Sequence, residues 1–342
     1  MIQTDLIIIG AGPVGLFTVF EAGLLKLRCH LIDILPQPGG QLNEIYPKKP
    51  IYDIPGLPSI LAKDLTTNLL EQIQPFDPGF SLGERAETLE KTDEGEWQIT
   101  TNEGTVVRGK VVVLAAGLGS FEPRKPPIPG LPRFEGKGVD YFVKDPEKYR
   151  DKDILIAGGG DSALDWTLDL VDIARSVTLV HRRTEFRGAP DSIEKMLKLA
   201  EAGRVNLRRN AQVIDVLGDD DGLKQVIISS EEFGEFGQDI DYFIPLFGLT
   251  PKLGPIENWG LETTKEGIRV SLPYYETNVP GIFAVGDSNT YEGKLKLILC
   301  GFHEATLMVQ RAFQYIHPDK KLSFKYTTVM GEQGLLQKAQ SL

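Results

Sequence analysis

The 342 residues carry a formal net charge of −11, with 41% hydrophobic and 25% charged residues. This composition is typical of a globular protein with room for two domains, and the acidic excess argues against general nucleic-acid binding, which needs a positive surface. No apolar run approaches the roughly 18 residues of a membrane span, and the two cysteines, Cys29 and Cys300, exclude a disulfide framework and favour a reducing compartment such as the cytoplasm.

The first predicted elements form a strand–turn–helix–strand unit. The opening MIQTDLIIIGAG predicts a strand entering a turn, not a signal peptide. The turn has the spacing Gly10-x-Gly12-x-x-Gly15, a helix follows it, and the next strand, CHLID, ends at Asp33. Glycines at this spacing allow a tight bend and let the backbone approach a pyrophosphate at a helix N-terminus. One such turn alone is weak evidence, because glycine-rich turns are common.

The same order recurs in the middle of the chain, in DILIAGGGDSALDWTLDLVDIARSVTLVHRR. A strand leads into Gly158-x-Gly160-x-x-Ala163, a helix follows, and the next strand leads to His181. His181 lies 18 residues after Ala163, and the acid of the first copy lies 18 residues after the last turn glycine (181 − 163 = 33 − 15 = 18). Two copies with matched spacing predict two dinucleotide-binding units.

The two copies differ at the end of the second strand. Asp33 of the first copy can accept hydrogen bonds from ribose hydroxyls and repels a 2′-phosphate, which suits FAD. The second copy has a basic run there, whose guanidinium groups suit the 2′-phosphate of NADPH; the alternative is a solvated basic turn. The NADPH-binding candidates are Gly158, Gly160, Asp161, Ser162, His181, Arg182, Arg183 and Arg187.

Two later segments predict further strands of the first unit. VVVLAAGLGS (111–120) is an apolar run entering small residues, and TNVPGIFAVGDSN (277–289) contains Asp287. Both strands should end at the carboxyl edge of a parallel sheet, where ligands bind. Asp287 could accept hydrogen bonds from a ribityl chain, or form an Asx turn or helix cap. The helix predicted over 297–316 would direct its N-terminus at the flavin.

Taken in this order, the motifs resemble the two-dinucleotide-binding flavoproteins, and most specifically the thioredoxin-reductase-like (type 2) ferredoxin–NADP reductase family. GAGPVGLFTVFEAG, PQPGGQLNEIYPKKPIYDIPGLP, AAGLGSFEPR and LFGLTPKLGPIENWGL carry the resemblance, which covers most of the chain. It implies an α/β fold of two Rossmann-like three-layer domains, with the NADPH domain (120–249) inserted into an FAD domain (1–119 and 250–342). It also implies electron transfer between NADPH and ferredoxin or flavodoxin through FAD, in a homodimer.

The resemblance further implies contacts for individual residues. Asp33 would bind the ribose, Gln41 and Tyr46 would contact the flavin, and Ala86 would offer its backbone to the adenine. Thr328 would lie near the flavin and can be supplied by the partner subunit; Tyr46 and Thr328 are the flavin-stacking candidates, with no acid–base residue required. The FAD-binding candidates are Gly10, Gly12, Gly15, Asp33, Gln41, Tyr46, Ala86, Phe121, Asp287 and Thr328.

One departure from thioredoxin reductases concerns the route of the electrons. Those enzymes carry a C-x-x-C pair shortly before the second glycine-rich turn, where this chain has VDYFVKDPEKY. Dithiol exchange needs two thiols within bonding reach, so electrons should leave from the flavin itself. Cys300-x-x-His303 offers too few ligands for zinc, and we predict no metal.

Three alternatives stay open: a disulfide reductase with an external dithiol partner, a flavin monooxygenase, and a non-catalytic flavin-binding sensor. If the partner is an acidic ferredoxin or flavodoxin, it needs a positive docking patch. Lys48, Lys49, Lys294 and Lys296 flank the expected flavin site and could form it, although they could equally be isolated solvated lysines.

Overall fold

The computed structural model describes residues 1–117, 119, 122–250 and 252–322. The chain divides into two compact units: Met1–Ser120 with Pro251–Leu342, and Phe121–Thr250. The second unit therefore interrupts the first along the chain.

Residues 1–117 form strands β1 (Ile2–Gln3), β2 (Leu6–Ile9), β3 (Cys29–Asp33), β4 (Pro50–Ile51), β5 (Ile60–Leu61), β6 (Gly79–Leu82), β7 (Ala86–Lys91), β8 (Trp97–Thr101), β9 (Val106–Gly109) and β10 (Val111–Leu114), and helices α1 (Pro13–Leu24), α2 (Gln41–Glu44) and α3 (Ala62–Ile73). Residues 122–250 form β11 (Glu122–Pro123), β12 (Asp153–Gly158), β13 (Ser176–His181), β14 (Val205–Arg209), β15 (Ala211–Asp219), β16 (Gly222–Ser230), β17 (Gly234–Asp239), β18 (Tyr242–Leu246) and β19 (Leu249–Thr250), with α4 (Asp161–Leu170) and α5 (Pro190–Glu201). Residues 252–322 form β20 (Thr263–Thr264), β21 (Gly267–Arg269), β22 (Ile282–Ala284), β23 (Asn289–Thr290) and α6 (Ile298–Ile316).

The first unit is built on a five-stranded parallel sheet in the order β22-β10-β2-β3-β6. Its central strands, LIII in β2 and VVVL in β10, are buried along their whole length, as continuous β-branched and leucine runs of parallel sheets are. Helix α1 packs against α3 and α6. Because all five strands run the same way, their carboxyl ends share one edge, and the loops that follow them meet there.

The second unit repeats this plan on a smaller scale. Its parallel sheet has the order β14-β13-β12-β18, with α4 packed on β12 and β13 and α5 packed on β14. An antiparallel sheet, β15-β16-β17, shares its hydrophobic core. The short strands β11 and β19, near the two ends of this unit, pair antiparallel.

The strand predicted around residues 277–289 is shorter than expected. Only Ile282–Ala284 are extended in the sheet, as β22. Gly281 (φ +84°) and Gly286 (φ +70°) bound it in left-handed conformations that turn the chain away. The helix predicted over 297–316 is present as α6, whose Glu304 is fully buried. Within the described ranges, we find no helix long and apolar enough to span a membrane.

Candidate functional site

The glycine-rich turn after β2 assigns a different role to each of its glycines. A Cβ on Gly10, whose φ is +107°, would lie 2.3 Å from the carbonyl oxygen of Ala115, and a Cβ on Gly15 would lie 2.0 Å from that of Gly10. Gly12 has an ordinary φ of −73°, and a Cβ there would meet nothing nearer than Gly40 Cα at 4.0 Å. The fold therefore requires Gly10 and Gly15, whereas Gly12 leaves open space at the N-terminus of α1, as a bound pyrophosphate needs.

Asp33, at the end of β3, faces this turn. The amide of Ala11 donates to its Oδ2 at 2.6 Å, and the amide of Leu35 donates to its Oδ1 at 2.9 Å. Burial raises the pKa of Asp33, and these two hydrogen bonds oppose the rise. Each carboxylate oxygen can accept more than one hydrogen bond, so Asp33 retains acceptor capacity toward ribose hydroxyls beside the turn.

Gln41, predicted to contact the flavin, and Ala86, predicted to contact the adenine, also lie near this edge of the sheet. The amide of Gly39 donates to the Ala11 carbonyl at 2.8 Å, which ties the loop carrying Gln41 to the turn. A Cβ on Gly117, just beyond β10, would lie 3.5 Å from Gln41 Nε2. Ala86 is buried at the start of β7, two residues after Glu84, whose amide donates to the Asp33 carbonyl at 3.1 Å.

Tyr46 and Asp287 are brought into electrostatic range of each other. Burial, together with the charges of Asp287 and Asp53, raises the pKa of Tyr46 to about 12, so its phenol stays neutral. Burial also raises the pKa of Asp287, against the opposing positive charges of Lys294 and Lys296. Phe121 and Thr328, the other two predicted FAD contacts, lie outside the residues that the structure describes.

The turn of the second unit, like the first, has a crowded first glycine and open space at the glycine before the helix. A Cβ on Gly158 would lie 2.7 Å from both the Ala163 Cβ and the Leu246 carbonyl oxygen, whereas a Cβ on Gly160, at φ −102°, would meet nothing within 4 Å. Asp161 and Ser162 are exposed at the start of α4, and Asp161 Oδ1 accepts from the amide of Ala189 at 2.7 Å. The open space again lies at a helix N-terminus.

His181 is held inside this unit. Its ring lies where a Cβ on Gly159 would be, with Cε1 only 2.0 Å from that position, and it stacks on Phe186 at a centroid distance of 4.7 Å. Its Nε2 donates to the Glu185 carbonyl at 2.9 Å. The sequence analysis did not predict that the His181 ring packs against the turn. Gly159 is the sequence feature that permits this contact, because any side chain there would collide with the ring. A phosphate contact by His181 stays a prediction.

The three predicted arginines lie at the surface beside the same turn. The side chains of Arg182, Arg183 and Arg187 are exposed and form no hydrogen bond or ion pair with the described part of the chain. The amide of Arg187 donates to the Gly159 carbonyl at 2.7 Å, which binds their loop to the glycine-rich turn. A local concentration of positive charge therefore lies beside the second turn, opposite in sign to Asp33 in the first unit.

The surroundings of the cysteines and of Lys294 bear on the predicted electron route and on the predicted docking patch. Neither cysteine forms a disulfide, and burial followed by the charge of Asp5 raises the pKa of the Cys29 thiol far above its usual range. The described residues contain no group of three His, Cys, Asp or Glu side chains that could hold a metal ion.

The prediction that Lys294 is a docking cation is wrong: its side chain is 5% exposed and forms an ion pair with Glu304.

Comparison with known proteins decides the family. Residues 4–305 match the family of pyridine nucleotide-disulphide oxidoreductases. The chain belongs to this family. Over 337 residues, 98% of the chain, it is 64% identical to ferredoxin–NADP reductase 2 of Christiangramia forsetii and 60% identical to ferredoxin–NADP reductase of Flavobacterium johnsoniae, covering 95% of each. The crystal structure of Lactococcus lactis thioredoxin reductase (FR conformation) shares the fold, with a TM-score of 0.79 at 24% identity over 92% of this chain and 99% of that one.

These findings confirm several predictions for this oxidoreductase. They confirm the ferredoxin–NADP reductase resemblance, the α/β fold with two Rossmann-like domains, and the FAD-dependent oxidoreductase class with FAD and NADPH as cofactors. Each glycine-rich turn thus forms a cradle, the open space beside Gly12 or Gly160 at a helix N-terminus, and each cradle fits one pyrophosphate.

Proposed function

We propose that this oxidoreductase transfers electrons between NADPH and ferredoxin, or flavodoxin, through FAD. The supporting observation is a pair of similar glycine cradles with opposite charge beside them: Asp33 in the first unit and exposed arginines in the second. An acid excludes a 2′-phosphate and arginines attract one. The FAD domain is accordingly 1–119 with 250–342, and the NADPH domain is 120–249.

The chain's own residues have binding and orienting roles in this proposal. FAD, when bound, accepts two electrons at once from a nicotinamide and can release them singly. Gly12 would admit the FAD pyrophosphate to the N-terminus of α1, and Asp33 would accept hydrogen bonds from the ribose hydroxyls. Tyr46 would offer a flat neutral ring, and Asp287 would accept hydrogen bonds from the ribityl hydroxyls. None of these roles requires a proton to move at a side chain.

The electron acceptor follows from the missing dithiol. The sequence has two cysteines, Cys29 and Cys300, and neither lies in residues 139–157, the segment that leads into the second turn. Cys29 is a buried thiol whose raised pKa suppresses the thiolate that disulfide exchange needs. Electrons would therefore pass straight to an external carrier. Without the buried Lys294, the predicted docking patch consists of Lys48, Lys49 and Lys296, of which Lys48 and Lys296 are exposed.

An anaerobic titration tests the proposal. We expect about one equivalent of NADPH to bleach the flavin absorbance, and ferredoxin or flavodoxin to restore it, with thioredoxin and small disulfides leaving it bleached. Reoxidation by disulfides at the same rate as by ferredoxin would indicate a reductase with an external dithiol partner. A flavin that NADPH does not bleach would indicate a non-catalytic sensor.

Replacing both cysteines supplies a second prediction. The double variant Cys29→Ala/Cys300→Ser should keep at least about half of the NADPH-dependent ferredoxin reduction, because no step uses a thiol. The measurement is cytochrome-coupled ferredoxin reduction, with FAD content determined in parallel so that a packing defect at the buried Cys29 is recognised. A loss of ferredoxin reduction by more than about tenfold at full FAD content would contradict direct electron transfer from the flavin.

We further propose that the protein works as a homodimer in the cytoplasm. The family resemblance supports the dimer, and two unpaired cysteines suit a reducing compartment. Sedimentation of the FAD-loaded protein would distinguish a dimer from a monomer.

A further inference from the structure

A buried ion pair lies beneath the turn that carries Asp287. Lys294 Nζ and Glu304 Oε1 are 2.5 Å apart, and the two side chains are 5% and 0% exposed. Lys294 comes from the loop after β23, and Glu304 comes from the second turn of α6. Neither residue was among the predicted cofactor contacts.

This pair holds the backbone of Gly286 on both sides of its Cα. The amide of Gly286 donates to Glu304 Oε2 at 2.7 Å, and its carbonyl oxygen accepts from Lys294 Nζ at 2.8 Å. Two further donors complete the carboxylate's shell: Asn289 Nδ2 to Oε2 and the Tyr291 hydroxyl to Oε1, each at 2.9 Å. Gly286, in its left-handed conformation (φ +70°), is therefore bonded to both members of one ion pair.

The same turn is closely packed on its other sides. The amide of Val285 donates to the Leu114 carbonyl at 3.0 Å, which joins the turn to β10. A Cβ on Gly301, in the first turn of α6, would lie 2.4 Å from Val14 Cγ2 and 3.3 Å from Gly286 Cα. The sheet, α1 and α6 thus confine Gly286, and the ion pair fixes the orientation of the peptide immediately before Asp287.

A gain in folding stability does not explain why a buried ion pair occupies this position. Removing two charges from water is costly, and well-packed apolar side chains of similar volume often stabilise a fold equally or better. Apolar side chains cannot hydrogen-bond the amide and the carbonyl of one residue, as this pair does at Gly286. The cost is understandable if the orientation of the Gly286 backbone matters for a ligand.

We propose that Lys294 and Glu304 are positioning residues for FAD binding: they clamp Gly286 and thereby present Asp287 to the cofactor. The inference rests on the proposed role of Asp287 as an FAD ligand. A simpler explanation is that Lys294 acts on Asp287 only through its positive charge. Lys296 distinguishes the two explanations, because it also exerts a positive charge on Asp287 but is exposed and does not contact Gly286.

The experiment compares the variants Lys294→Met, Lys296→Met and Lys294→Met/Glu304→Gln with the wild-type holoenzyme. FAD release on dilution, followed by flavin fluorescence, gives the dissociation constant, visible circular dichroism reports the flavin's surroundings, and the thermal midpoint at saturating FAD reports stability. We expect Lys294→Met to raise the FAD dissociation constant on the order of 30-fold and to alter the visible circular dichroism. Lys296→Met should change the dissociation constant less than about threefold.

The double variant distinguishes positioning from stability. It leaves no unpaired buried charge, so its thermal midpoint should recover toward the wild-type value. Its FAD affinity should stay weak, because the Gly286 carbonyl still lacks its donor. Recovery of affinity in step with the midpoint, or an equal effect of Lys296→Met, would overturn the inference. If Lys294→Met does not fold, the double variant decides alone. A wild-type protein that binds no FAD would instead contradict the proposed function.

Discussion

Replacing Arg182 and Arg183 together by alanine lowers kcat/KM for NADPH by about 10²–10⁴-fold and changes kcat/KM for NADH by less than about threefold. Each guanidinium that binds a phosphate contributes about 1.5–3 kcal/mol, and each 1.36 kcal/mol of lost binding is about tenfold in rate. NADH lacks the 2′-phosphate, so it loses nothing. Both side chains are exposed and unpaired with the described residues, so the fold should be unaffected. Steady-state kinetics with both nucleotides and a small dye acceptor measure the effect.

Arg204→Ala is the matched control for this double variant. Arg204 is an exposed arginine of the same unit, but its guanidinium pairs with Asp172 at 2.6 Å. Its removal should leave the preference for NADPH unchanged. Equal losses with NADPH and NADH in the double variant would show that the basic run supports the fold or the domain as a whole, and does not recognise the phosphate.

Gly12→Ala should leave the protein folded and weaken FAD binding roughly 100-fold, whereas Gly15→Ala should destabilise the fold itself. At Gly12 the backbone suits any residue and a Cβ enters open space, so only the approach of a pyrophosphate is lost, at about 3 kcal/mol. At Gly15 a Cβ would lie 2.0 Å from a backbone oxygen, and the forced shift costs on the order of 3 kcal/mol. FAD content and thermal unfolding distinguish the two outcomes.

Gly160→Ala is the counterpart in the second unit. A Cβ there also enters open space, so this variant should fold and retain FAD but lose NADPH affinity. If Gly12→Ala keeps normal FAD content, the cofactor's pyrophosphate does not lie at the N-terminus of α1. If Gly12→Ala unfolds as Gly15→Ala does, the open space beside Gly12 is not a binding cradle.

Local sequence patterns predicted much of the parallel core. The runs of β2 and β10 are apolar throughout, and those of β12 and β13 are largely apolar, because both faces of a parallel sheet are covered. The glycine spacings mark where a strand turns into a helix. The mixed sheet β1-β9-β8-β7 and the antiparallel sheet β15-β16-β17 were not predicted. Their strands are largely half-exposed and depend on pairing with neighbours, which composition alone does not reveal.

Residues of the candidate site could be proposed from the sequence where residue type and position along the chain suffice to suggest a role. Asp33 could be recognised as an acid at a strand end, and Arg182 and Arg183 as a basic run at the corresponding position. Lys294 could not be assigned in this way, because a lysine near the flavin site has the same sequence signature whether it is exposed for docking or buried against Glu304. His181 is similar: its place in the basic run suggested phosphate binding, and only its packing on Gly159 revealed the role in the turn.

By itself, the sequence determined the two dinucleotide units, the charge at the end of each second strand and the absence of a dithiol, because these properties depend on residue type and on short spacings along the chain. Only the tertiary structure decided which glycines the fold requires, and which lysine is available to a partner. It also joined Gly286, Lys294 and Glu304 into one buried network. The physical reason is that a hydrogen bond or a steric conflict depends on distances between atoms that are remote in the sequence, and packing alone sets those distances.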